Sequence, residues 1–196
     1  MGCGMSGRPA AFLDRDGVLN EDRGYVHRWE DFAFLPGVID ALRRLQQKGY
    51  LLVVITNQSA VARGLCAEAD VLALHERMRA FLHRQGIELA GIYYCPHHPQ
   101  GSVARYTRAC ACRKPEPGMI LRAAQEHGID LARSLLVGDK ISDLEAGRAA
   151  GIPSLYLVVP PGQDKDLSSF PEAQRVSGLS EVVERMTTLK NGMPNS

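Results

Sequence analysis

The chain has 196 residues, 45% of them hydrophobic and 23% charged, a balance that allows a globular core without disulfide staples. A formal net charge of +1 gives no sign of a nucleic-acid or membrane-surface binder, and no apolar run approaches the roughly 18 residues needed to span a bilayer. Five cysteines, an odd count with three of them inside Cys95–Cys112, argue against a secreted disulfide scaffold and for a cytoplasmic protein with a metal site.

In chain order, Met1–Pro9 lacks an apolar stretch and reads as a flexible leader rather than a secretory signal. Its Met-Gly-x-x-x-Ser start fits a myristoylation signal, with nothing polybasic in support. Ala10–Leu13 is a short apolar run, a buried strand that delivers Asp14. Val38–Lys48 carries Val38, Ile39, Leu42 and Leu45 at helical spacing, and Gly49 follows as a stop. Leu51–Ile55 is a continuous branched apolar run, the pattern of a central parallel strand covered on both faces. Val71–Arg84 repeats the helical spacing through Leu74, Met78 and Phe81. Gly91–Tyr94 is a further strand candidate.

Pro117–His127 begins with Pro and is followed by Gly128, the asymmetry of a helix. Leu135–Val137 reads as a strand, Ser142–Ala150 as a helix, Ser154–Val158 as a strand and Gly178–Leu189 as a last helix. Pro160–Gly178 reads as loop and Lys190–Ser196 as a disordered tail. Strands alternating with helices predict an α/β fold with a largely parallel sheet, in a single domain over residues 10–189.

Asp14, Thr56 and Asp139 each follow a predicted strand, and that edge of an open α/β sheet is where ligands bind. Phe12-Leu13-Asp14-Arg15-Asp16-Gly17-Val18 sets two acids two residues apart. Carboxylates so close repel, and a divalent cation such as Mg²⁺ relieves the repulsion. Val137-Gly138-Asp139-Lys140-x-x-Asp143 adds another acid, Thr56 a hydroxyl donor and Lys114, in Cys112-Arg113-Lys114-Pro115, a cation.

In this order and at these strand ends the set resembles the haloacid dehalogenase-like (HAD-like) phosphatase superfamily, from Ala10 to Val158. The resemblance implies a three-layer Rossmann-like fold and a Mg²⁺-dependent phosphatase. Asp14 would be the nucleophile that accepts the phosphoryl group and Asp16 the general acid/base. Thr56 and Lys114 would hold phosphoryl oxygens. Mg²⁺ would be bound by Asp14, the backbone carbonyl of Asp16, and Asp139. Asp143 would orient groups behind these or be a helix-surface acid. Val18 stands where many relatives have Thr; its side chain need not touch substrate.

Cys95-Pro96-His97-His98 and Cys110-Ala111-Cys112 supply three thiolates and an imidazole, a tetrahedral Zn²⁺ set across loop 95–112. His98 in place of His97, a redox pair at Cys110 and Cys112, and unrelated cysteines are the alternatives. Four protein ligands leave no open position, so the zinc would be structural. It would fix the loop that carries Arg113 and Lys114.

Too few residues separate Asp16 from Thr56 for a full cap domain, so specificity falls to short loops. Asn20–His27, Thr56–Gly64 and Tyr93–Gly101 together are similar to the D-glycero-D-manno-heptose-1,7-bisphosphate 7-phosphatase family. That resemblance implies a substrate loop of Asp22, Arg23, Gly24 and Tyr25, and a second of Thr56, Asn57, Gln58 and Ser59. Arg113 and Lys114 would be a cationic pair that serves binding and catalysis, and Lys140 a further contact. It implies a small-molecule partner, a sugar bisphosphate, in the making of nucleotide-activated heptose for lipopolysaccharide, with no nucleic acid and no membrane. A monomer is expected, since no apolar repeat suggests an interface. Histidinol-phosphate phosphatase, a nucleic-acid 3′-phosphatase and a non-catalytic zinc-stabilised binding module are the competing readings.

Overall fold

The computed structural model describes residues 7–191, with side chains described through residue 188. The myristoylation pattern, Cys3 and most of the leader and tail lie outside these residues. Six strands form one parallel sheet: β1 (Ala10–Leu13), β2 (Leu51–Asn57), β3 (Leu89–Cys95), β4 (Leu135–Gly138), β5 (Ser154–Val158) and β6 (Gln174–Val176). Their order across the sheet is β3-β2-β1-β4-β5-β6. The helices are α1 (Val38–Gln47), α2 (Glu68–Arg84), α3 (Gly118–His127), α4 (Ile141–Ala149) and α5 (Leu179–Asn191).

The side chains of β1 explain the layering. All four are buried, and alternation sends them to opposite faces. Ala11 and Leu13 pack with Leu42, Leu45, Leu74, Met78 and Val182, the apolar stripes of α1, α2 and α5. Ala10 and Phe12 pack with Met119, Ile120, Ala123 and Leu144 of α3 and α4. The unbroken apolar runs of β1, β2 and β4 are thus those of strands covered on both sides.

The predicted strands and helices are present, with shifted ends. α2 starts at Glu68, because its first turn is polar and carries no apolar period; Asp70 accepts the Ala67 N–H at 2.8 Å there. The expected loop Pro160–Gly178 contains β6, three residues of which Val176 alone is buried, too short to leave a pattern. Arg8 pairs with Ile129 and the Pro9 carbonyl accepts from Leu51, so contacts with the sheet are already made ahead of β1, within the expected leader.

The order β3-β2-β1 on one side and β4-β5-β6 on the other reverses between β1 and β4. Ligands bind at such a reversal, beyond the carboxyl ends of the strands. In register, Leu13 lies opposite Val137, so Asp14 and Asp139 emerge side by side.

Candidate active site

The Asp14 N–H donates to the Val137 carbonyl at 3.0 Å, which ties the end of β1 to β4. Lys114 reaches in from the loop after the cysteines. Its ammonium donates to Asp14 Oδ1 (2.9 Å), Asp143 Oδ1 (2.6 Å) and the Ile55 carbonyl (3.0 Å), which uses all three of its hydrogens. Asp143 Oδ2 accepts the N–H groups of Asp139 (3.1 Å) and Lys140 (2.9 Å), so the same carboxylate caps α4 and grips Lys114. The two expectations for Asp143 resolve in favour of a buried orienting acid. Gly17 is required where it stands: φ is +84°, and a Cβ there would meet Asp139 Oδ2 at 2.7 Å.

One oxygen from each of Asp14, Asp139 and Asp143 lies within 4.8 Å of the others. Burial pushes Asp14 up to about 8, against the pull of Lys114 and with help from Asp143, Asp139 and Asp16. Burial also raises Asp139, whose buried Oδ1 has no hydrogen-bond partner among the described residues. Burial alone would lower the Lys114 pKa, but Asp14 and Asp143 reverse that and hold the ammonium charged. Three clustered acids, two of them on the Lys114 ammonium and the third 3.8 Å from Lys140, with an orphaned carboxylate oxygen, are the donor set a hard divalent cation takes.

The Asp16 side chain is not in that trio. Its carboxylate accepts from Arg15 Nη2 (2.9 Å), Asn20 Nδ2 (3.0 Å) and Gln58 Nε2 (3.1 Å). Arg15 is fully buried; it also donates to the Val26 carbonyl (2.6 Å) and faces His75 Nε2 at 3.1 Å. His75 is pushed down to about 3 by burial and then by Arg15 and Arg79, so it is neutral and accepts from Arg15. Gln58 Nε2 donates in addition to Thr56 Oγ1 at 2.8 Å. Asp14, Asp16, Thr56, Asn57, Lys114 and Lys140 share one cavity of about 40 Å³, bounded by Asp143.

The predicted substrate residues divide. Asn57 and Gln58 pack into the site, and Asn57 clasps the Lys114 main chain at N (3.1 Å) and O (3.0 Å). Ser59, Arg113 and the loop Asp22–Tyr25 do not line that cavity. The loop is exposed; Lys140 lies 3.6 Å from Asp22 and links it to the turn after β4. Sequence reasoning missed Arg15, Asn20, His75 and Lys165, whose ammonium donates to the Asp139 carbonyl. Arg15 was legible as a charge wedged between two acids. Lys165, in a polar loop without a motif, gave no signal.

The cysteines converge as expected. Cys112 Sγ lies 3.1 Å from Cys95 Sγ and 3.2 Å from Cys110 Sγ, and His97 Nδ1 is 3.5 Å from Cys112 Sγ. The hydrogen bond shared with Cys95 pushes Cys112 down to about 5, toward the thiolate that binds metal. Four such atoms within 4.8 Å of one another fit a tetrahedral ion. His98 stands outside the group: its Nδ1 accepts the Gln100 N–H at 3.0 Å. A wider cavity of about 830 Å³ flanks edge strand β3 and is lined by none of the groups around Asp14.

Comparison with known proteins matches this geometry. Residues 111–174 fit the HAD-hydrolase-like family model. The chain is 53% identical over 150 residues to the D-glycero-beta-D-manno-heptose-1,7-bisphosphate 7-phosphatase of Yersinia pestis, covering 76% of this chain and 80% of that one. The enzyme of the same name from Escherichia coli K12 is 52% identical over 150 residues, at 76% and 78% coverage. The crystal structure of D,D-heptose 1,7-bisphosphate phosphatase from B. bronchiseptica, complexed with magnesium and phosphate, superposes with a TM-score of 0.79 at 34% identity, covering 92% of this chain and 99% of that chain. The chain is a HAD-like phosphatase and belongs to the D-glycero-beta-D-manno-heptose-1,7-bisphosphate 7-phosphatase family.

Proposed function

We propose that the chain removes the 7-phosphate of D-glycero-D-manno-heptose 1,7-bisphosphate through a phosphorylated Asp14. The observation that carries the chemistry is the meeting of Asp14, Asp139, Asp143 and Lys114 at the β1–β4 reversal. The names of the relatives support the substrate. An Asp14 oxygen attacks phosphorus, the bond from phosphorus to the sugar oxygen breaks, and Asp16 gives that oxygen its proton. Asp16 then takes a proton from a water that attacks the same phosphorus. The bond to Asp14 breaks, and phosphate leaves. Lys114 and Thr56 hold the phosphoryl oxygens, where fixed positive charge contributes most. Arg15, Asn20 and Gln58 hold Asp16 on the cavity wall.

Mg²⁺ is the catalytic metal in this reading, held by Asp14, Asp139 and the Asp16 carbonyl, with Asp143 behind them. When bound it neutralises charge on the phosphoryl group. Zn²⁺ at Cys95, His97, Cys110 and Cys112 is structural. Asp22–Tyr25, Asn57–Ser59, Arg113 and Lys140 receive the sugar and its second phosphate. The chain acts as a monomer of one domain in the cytoplasm, the compartment that the free cysteines among the described residues support; no helix among the described residues is long and apolar enough to cross a membrane.

Steady-state kinetics with Mg²⁺ on heptose bisphosphate and on histidinol phosphate test the reading. A higher kcat/KM on histidinol phosphate overturns the substrate; no phosphate release from either overturns the activity.

A further inference from the structure

Arg15 is fully buried and stands between Asp14 and Asp16 in the chain. Its Nη2 donates to Asp16 Oδ1 (3.0 Å), Asp16 Oδ2 (2.9 Å) and the Val26 carbonyl (2.6 Å). Its Nη1 has one partner among the described residues, His75 Nε2 at 3.1 Å. A guanidinium can only donate, so Nε2 carries the lone pair, the ring hydrogen sits on Nδ1 and the imidazole is uncharged. Burial, then the charges of Arg15 and Arg79, favour the same neutral form.

His75 lies in the buried stripe of α2 with Val71, Leu74 and Met78. A polar ring there costs free energy unless it is hydrogen-bonded, and the bond to Arg15 is its one side-chain hydrogen bond among the described residues. The Tyr94 ring of β3 stands edge-on to it, with centroids 5.7 Å apart. The Tyr94 hydroxyl donates to Glu68, at the start of the same helix, at 2.8 Å, so the wall behind the imidazole is itself fixed.

Two features suit this imidazole to steering Arg15 rather than to filling space. A planar guanidinium anchored at one nitrogen can swivel about it. Anchored at Nη1 by His75 and at Nη2 by Asp16 and Val26, it is held in direction. The neutral ring also takes its hydrogen bond without competing for the charge of Arg15, which stays with Asp16. A carboxylate at position 75 would be a second counterion and would draw the guanidinium away.

We propose that His75 is a positioning residue: through Arg15 it sets the direction of the Asp16 carboxylate toward the leaving oxygen. The role rests on the reading of Asp16 as general acid/base given above. His75 does not line the phosphoryl cavity, so its effect passes through Arg15 alone.

The test is steady-state kinetics on heptose 1,7-bisphosphate with Mg²⁺, together with inhibition by inorganic phosphate. Wild type, His75→Leu, His75→Gln and His75→Asn are compared, each well below its own Tm. His75→Leu keeps an apolar volume and removes the acceptor. Its kcat should fall about tenfold or more, because a slightly misplaced reacting group costs up to about 100-fold. KM and the phosphate Ki should stay within about twofold, since Lys114 and Thr56 are untouched. Gln Oε1 stands as many bonds from Cα as His Nε2 and should restore kcat to within about threefold of wild type, whereas Asn is one bond short and should not. A His75→Leu kcat within about twofold of wild type overturns the role, and so does a fall in kcat matched by weaker KM and phosphate binding, the mark of a loosened fold. Should His75→Leu fail to fold, the two amides decide, and equal kcat in His75→Gln and His75→Asn overturns the role. A wild-type enzyme that releases no phosphate from the bisphosphate overturns the proposed function, and the role of His75 with it.

Discussion

Lys114→Met isolates the electrostatics of the site. The substitution removes the buried ammonium that Asp14, Asp143 and the Ile55 carbonyl share, and puts an apolar chain of similar length in its place. Removing one partner of a buried pair costs about 3–5 kcal/mol, because the other partner is left uncompensated. For a chain of this size that is a fall in Tm of about 6–20 °C. The loss depends on pH. Burial already holds Asp14 at about 8, against 3.8 for a free carboxyl, and without Lys114 it rises further. Between those values the folded chain binds more protons than the unfolded one, so stability falls as pH rises. Thermal unfolding of metal-free wild type and variant should differ least at pH 5, where Asp14 is neutral in both and Asp143 alone loses its partner, and the difference should widen as pH rises through and above about 8. Mg²⁺ should restore much of the Tm, since it replaces the missing charge, while turnover stays lost. A penalty that does not widen between pH 5 and pH 9, or a variant within about 2 °C of wild type at pH 9, refutes this account; about 2 °C corresponds to less than ~1 kcal/mol.

Asp14→Asn should abolish turnover and leave the fold intact by circular dichroism; more than a few per cent of wild-type kcat would remove Asp14 as nucleophile. Because a proton competes with the metal for Asp14, the Tm gain from saturating Mg²⁺ should grow from pH 6 to pH 8, and a gain that shrinks over that range speaks against metal binding at this carboxylate. Protein purified without chelator should contain one zinc per chain by elemental analysis. Stripping that zinc should lower both Tm and activity while the Mg²⁺-dependent Tm gain persists, and metal-free protein from such a preparation counts against the zinc site.

The legible parts of this molecule were those where one short stretch carries the whole signal. Leu51–Ile55 had to be a strand covered on both faces, and β2 runs on through Thr56 and Asn57. Asp14 and Asp139 could be placed together because each follows a strand, and the reversal between β1 and β4 makes them neighbours. What depended on side-chain direction was not legible. Asp-x-Asp does not say that the Asp16 carboxylate turns to Arg15, nor that Asp143, a turn further along α4, joins Asp14 and Asp139. Nor does any local pattern announce His75. It sits on the buried face of α2 and meets Arg15 from 60 residues away. β6 failed for a related reason: its pairing with β5 rests on backbone bonds, which three residues cannot advertise.

The position of Lys114 links the two candidate metal sites. A lysine ammonium resists burial, and a loop that delivers one must be held firmly or the side chain escapes to water. Here the loop is fixed at both ends of a short span. Cys112 is drawn in among Cys95, Cys110 and His97, and two residues later Asn57 binds the Lys114 main chain on both its N–H and its carbonyl. Gly118 closes the far side by donating to the Ala111 carbonyl at 2.9 Å, where a Cβ would approach that oxygen to 2.2 Å. A bound zinc would lock the first of these anchors. The loss of zinc would then reach the phosphate pocket through Lys114, by loosening the cation rather than by altering the carboxylates. KM and kcat should both worsen on zinc removal in the wild-type enzyme, and unchanged values in zinc-free protein would break the link between the two sites.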